Sequence, residues 1–151
     1  MYKRQAEGLE FYTTRETGTW RPYLSLTWMN RSNRYENFVT DDSGTPSLSG
    51  TLGLLHERRI SDRVDGWIDF ALRGESDSRR EEPSSTGTPT IEKDDSWITL
   101  NLSGGASFGR ERRVSLVVEL ENLGDETYST SAENLYAPGR SIAARLNLAL
   151  E

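Results

Sequence analysis

Enzyme chemistry needs nucleophiles, bases or metal ligands held at short range, and this chain offers few of them. It has no cysteine, so thiolate catalysis, thiolate metal sites and disulfides are all excluded. His56 is the only histidine. Any Ser-His-Asp arrangement or histidine metal cluster would have to be built around it, and no motif nearby does so. Two acidic pairs, Asp41-Asp42 and Asp94-Asp95, carry the oxygen ligands that calcium prefers. Neither stands in the twelve-residue ligand spacing of a calcium loop. No catalytic residue, metal or other cofactor is therefore expected.

The arginines fall in short groups at 58–59, 79–80, 110 and 112–113, interleaved with acids. With 18 basic against 24 acidic residues, the net charge is −6. Nucleic acid is not an expected partner, because phosphate binding draws on clustered positive charge. The arginine groups read as solvated loop charge.

The elements that carry these residues follow a period of two. Leu24, Leu26 and Trp28 alternate with Tyr23, Ser25 and Thr27, and Ile68, Phe70 and Leu72 with Trp67, Asp69 and Ala71. Ile98, Leu100 and Leu102 alternate with Trp97, Thr99 and Asn101, and Ile142, Ala144 and Leu146 with Ser141, Ala143 and Arg145. The pattern predicts strands near 6–14, 20–35, 47–58, 65–76, 96–109, 113–122 and 139–151, each with one apolar and one polar face. Most exceed the ~5–6 residues usual in globular sheets. They match the ~9–11 residues of a tilted strand that crosses a bilayer. The expected fold is all-β, an antiparallel up-and-down sheet of about seven long strands.

Connection lengths alternate as well. Those around 16–18, 59–63 and 109–112 are short, and those at 36–46, 77–95 and 123–138 are long and polar. Short turns at one end and long loops at the other are the pattern of transmembrane β-barrels. The composition allows this. Hydrophobic residues are only 34% of the chain and charged residues 28%, and no apolar run approaches the ~18 residues of a spanning helix. A helical membrane protein is thus excluded, whereas a barrel strand is polar on its lumen face. No apolar signal-peptide core follows the first residues.

The C-terminal third carries the specific motifs. Glu121-Asn122-Leu123-Gly124-Asp125-Glu126-Thr127-Tyr128 resembles the Asn-Leu-x-Asp-x-x-Tyr motif near the end of TonB-dependent outer-membrane receptors. About ten residues on, Ala137-Pro138-Gly139-Arg140-Ser141 resembles the Pro-Gly-Arg run that leads into their final strand. Trp97 to Leu102 and Ser107-Phe108-Gly109 are similar to the preceding hairpin. The likeness extends over 6–151 and is motif-grade over 97–151. In residue chemistry the set suits a structural role: Asn122 and Asp125 can bond nearby backbone, Tyr128 combines an apolar ring with a polar tip, Pro138 and Gly139 shape a bend, and Arg140 can bond carbonyls or a carboxylate.

The resemblance implies a transmembrane barrel of about 22 strands, of which seven make about a third, with an N-terminal plug and a TonB-binding segment. Nothing in this chain resembles the plug or that segment, so the wall is expected to be incomplete on its own. Residues 1–5 resemble the translated end of a sequencing transposon and are expected to be a non-native leader before 6–151. The family usually closes on a lipid-facing aromatic. This chain stops at Leu150-Glu151, one residue short of that position, so clipping is expected there too.

The implied function is TonB-driven uptake of a scarce, large solute across the bacterial outer membrane, with no chemistry done on it. Ferric siderophores are the foremost class, with haem, cobalamin and oligosaccharides as others. Implied partners are outer-membrane lipid, the solute and, through the plug, the TonB complex, with a monomeric full-length receptor. Residues at the loop bases, Tyr35, Asn37, Phe38, Asp41, Asp42, Arg79, Arg80 and Trp97, are candidates for solute contact. The simpler reading of them is as solvated loop residues or interfacial girdle aromatics. His56 is placed on the lipid face near the short-turn end. The alternative is a soluble β-sandwich acting as a binding or adhesion module, which would bury two apolar faces against each other.

Overall fold

Side chains that alternate between branched or aromatic and polar suit a pleated surface with two unlike faces. The computed structural model describes residues 3–36, 39–41, 43–82, 88, 90–130 and 136–149. Strands make up 73% of it, with no helix among the described residues, so the fold is all-β. The strands are β1 (Lys3–Thr14), β2 (Trp20–Arg34), β3 (Val39–Thr40), β4 (Leu48–Ser61), β5 (Val64–Glu75), β6 (Ser78–Glu82), β7 (Thr90–Asp94), β8 (Trp97–Phe108), β9 (Val114–Glu121) and β10 (Ser141–Leu148).

The main sheet runs β1-β2-β4-β5-β8-β9-β10, with β3 paired to β2. Its pairings are all antiparallel. The seven long strands stand where the alternation places them. The long connections differ from expectation, because they are not all loop. β6 and β7 form a separate two-stranded sheet within the connection expected at 77–95, with Arg80 opposite Glu92. Lys3, Arg4 and Gln5 continue β1, opposite Arg34, Asn33 and Ser32.

Register sorts the side chains cleanly. Thr13, Leu24, Leu52, Leu72 and Leu100 form one cross-strand row. Pro22, Leu54, Phe70, Leu102, Leu120 and Ile142 form the next on the same face. The opposite face carries Tyr12, Ser25, Thr51, Arg73 and Thr99 in one row. Arg21, Leu55, Asp69, Ser103, Glu119 and Ala143 form another.

Exposure is inverted relative to a water-soluble domain. In β8, Ile98 is 69% exposed while its neighbours Trp97 and Thr99 are 4% and 3% exposed. Trp97 is the only buried hydrophobic residue among those described. Two rings lie across glycines of the neighbouring strand on the polar face. Tyr23 stands opposite Gly53, where an added Cβ would run into the ring. Trp67 stands opposite Gly105, where it would come within 2.7 Å of the indole nitrogen. The Tyr23 hydroxyl reaches over Gly53 to donate to Asp69 Oδ2 at 2.9 Å, so one side chain spans β2, β4 and β5.

Candidate functional site

At the long-loop end, the connection after β9 is closed by a clasp of side chains. Asn122 takes a left-handed backbone conformation (φ 52°) and is 2% exposed. Asparagine tolerates that region better than most residues because its short amide can bond locally. Its Oδ1 accepts from the Glu126 N–H at 2.9 Å, and its Nδ2 donates to the Glu126 carbonyl at 2.8 Å and to the Pro138 carbonyl at 3.5 Å. Its own N–H donates to Asn101 Oδ1 at 2.9 Å, and the Leu123 N–H donates to the Leu100 carbonyl at 2.8 Å. The chain leaving β9 is thereby tied to β8.

Asp125 completes the closure. It too is left-handed (φ 55°), and its Oδ1 accepts from the Arg140 N–H at 2.8 Å. The same oxygen stands 2.8 Å from where a Cβ on Gly139 would be, so a side chain at that position would displace it. Two residues later the chain enters β10. Between these points the Ala137 N–H donates to the Tyr128 carbonyl at 2.8 Å. The Tyr128 ring stacks on Trp97, with centroids 4.1 Å apart, and the Arg73 guanidinium lies 5.9 Å from the Trp97 ring centre. The structure thus brings Asn122, Leu123, Asp125, Tyr128, Pro138 and Gly139 together, with the backbone of Arg140.

The candidate contact residues are scattered. Trp97 begins β8 and is packed beneath Tyr128, so it presents no exposed ring at a loop tip. Tyr35 is half-buried, while Asp41 and Arg79 are exposed. Arg80 pairs with Glu92 at 3.8 Å and lies against Gly44. The Gly44 N–H donates to the Arg79 carbonyl, drawing the segment after β3 onto the β6–β7 hairpin. Asn37, Phe38 and Asp42, like Leu150 and Glu151, lie outside the described residues.

The polar face between these ends is a hydrogen-bonding surface. Ser25, Thr27, Ser49, Thr51, Arg73 and Glu75 line a shallow groove toward the long-loop end. Its hydroxyls, guanidinium and carboxylate can bind or exclude a solute. His56 stands apart, on the apolar face opposite Trp20, with ring centroids 4.2 Å apart. It is therefore remote from the polar side chains that a histidine base would need.

One organising residue escapes sequence reasoning. Arg112, grouped above with solvated loop charge, has a left-handed backbone (φ 54°). Its Nε bonds Asp65 Oδ2 at 2.5 Å, and its Nη1 donates to the carbonyls of Gly109 at 2.7 Å and Asp62 at 3.3 Å. It joins two adjacent short turns. No local signal could reveal it, since its partners in the other turn are 47 and 50 residues away.

Compared with models of protein families, with curated proteins and with solved structures, the chain matches none.

Proposed function

We propose that this chain is a segment of the wall of an outer-membrane β-barrel of about 22 strands, of the kind that takes up scarce, large solutes under TonB control. The observation that carries the reading is the inverted sheet. Its apolar face is the exposed one, and no second layer covers that face among the described residues. Burying one large aliphatic or aromatic side chain is worth ~1.5–3 kcal/mol. More than a dozen such side chains stand exposed. That forfeits more than the ~5–15 kcal/mol of net stability a soluble domain possesses. Hydrocarbon around the sheet removes the deficit. It also requires closure, because free strand edges are not tolerated in lipid, and β1 and β10 are both edges here.

The TonB-dependent identity rests on the paired C-terminal motif and on the clasp it builds. The wall would supply lumen surface and loop bases to a solute, ferric siderophores foremost, while a plug outside this segment would couple to the TonB complex. The uncovered apolar face argues against the β-sandwich alternative, which needs a facing layer.

Refolding tests the reading. Denatured chain diluted into plain buffer is expected to give no cooperatively melting monomer, and to gain β circular dichroism in detergent or vesicles. A soluble monomer with a sharp melt in buffer would overturn the wall reading. An upstream coding sequence with no plug domain ahead of the remaining barrel strands would overturn the transport reading alone.

A further inference from the structure

The short-turn half of the apolar face carries one outward charge among the described strand residues. Arg58 stands opposite Gly66 on β5, which stands opposite Ala106 on β8, in register with the apolar rows. Its chain neighbours project to the polar face and are neutralised: Glu57 pairs with Arg21 at 3.1 Å and Arg59 with Asp65 at 3.5 Å. Arg58 is exposed and makes no hydrogen bond or ion pair among the described residues. One further apolar row, Val64, Phe108, Val114 and Leu148, lies between it and the turns.

The surface beside Arg58 is low. Gly66, Gly104 and Ala106 put small residues on this face beside Arg58, as Gly50 and Gly74 do nearer the long loops. Ile60 lies over Gly66, its Cδ1 2.9 Å from where a Cβ on that glycine would be, so the low ground lies beyond it at Gly104 and Ala106. On the other side of Arg58, Trp20 stacks on His56, and such amphipathic rings favour the headgroup level of a bilayer. A guanidinium in hydrocarbon is costly at the midplane and tolerated near the interface. There its stem can lie along apolar surface while its planar fork meets a phosphate.

We propose that this low ground holds one anionic phospholipid of the leaflet at the short-turn end, its phosphate on Arg58 and an acyl chain beside Ile60 along Gly104 and Ala106. The inference rests on the membrane reading above. Charge complementarity selects the occupant: an unpaired cation in an apolar wall needs a partner that is itself anionic at one end and apolar at the other.

The test refolds the full chain into phosphatidylcholine vesicles containing a minority of phosphatidylglycerol. Lipid retained after extraction in mild detergent is then measured by mass spectrometry. The native chain is expected to retain phosphatidylglycerol above its bulk share. Arg58→Gln should lower that enrichment about fivefold, the weight of one basic residue at an anionic surface, while protease protection shows that it still inserts. Arg110→Gln removes an exposed turn charge and should leave the enrichment unchanged. Equal loss in the two variants, or native enrichment in Arg58→Gln, overturns the lipid site. Insertion without enrichment in the native chain also overturns the site alone, whereas failure to insert in any vesicle overturns the membrane reading with it.

Discussion

Asn122 shows how one side chain can carry a whole connection. Its amide satisfies both the N–H and the carbonyl of Glu126 and reaches Pro138, while its backbone holds a conformation that most residues resist. Asn122→Ala removes these bonds from a buried position and leaves the Glu126 and Pro138 backbone groups without their amide partner, in a backbone that alanine disfavours. The expected cost is about 2–4 kcal/mol. Asn122→Gly relieves the backbone but restores no bond, so its cost should be smaller by about 1 kcal/mol. Urea unfolding of the chain folded in detergent or vesicles measures both. Wild-type stability in Asn122→Ala would show that the clasp contributes nothing. The same residues explain why the motif was legible in sequence: left-handed asparagine and aspartate, followed by a glycine with no room for a Cβ, are chemically selective positions. Arg112 was not legible, because its partners are assembled by the fold across two turns.

At the scale of elements, strand positions were readable because period-two alternation is a direct image of the pleat. The β6–β7 hairpin was not. Its sequence, with Arg79, Arg80, Glu81 and Glu82 on one arm and Glu92 and Lys93 on the other, has no apolar face to alternate. It is held instead by backbone pairing and by the Gly44 to Arg79 bond. Nor did alternation reveal which strands are coupled through side chains. The Tyr23 ring lies over Gly53 and bonds Asp69, linking three strands on the polar face. Gly53→Ala must drive the ring away, at an expected cost of about 1–3 kcal/mol. In a Tyr23→Ala background the same substitution should cost less than about 0.5 kcal/mol, as expected when the interaction partner is already gone. Equal costs in both backgrounds, measured by urea unfolding, would show that the ring does not hold this glycine in place.

At the scale of the whole molecule, the low hydrophobic share first suggests a rather polar soluble chain. Sorted by register, its large apolar side chains lie mainly on one face, and that face is the exposed one. All-β architecture and the antiparallel order follow from local alternation. The proposed closure into a barrel and the proposed solute involve long-range pairing and loop surfaces, which local alternation does not encode. The four tryptophans test the central claim directly, because they divide evenly between the faces. Trp20 and Trp28 stand on the apolar face, in register with His56 and Leu48, and Trp67 and Trp97 on the polar face, opposite Gly105 and Glu75. Single-tryptophan variants, the other three replaced by phenylalanine, are folded into vesicles of brominated phosphatidylcholine, and their fluorescence is recorded. Strong quenching of Trp20 and Trp28 with little quenching of Trp67 and Trp97 is the expected result. Equal quenching at all four, or quenching confined to Trp67 and Trp97, would contradict an apolar face turned to lipid.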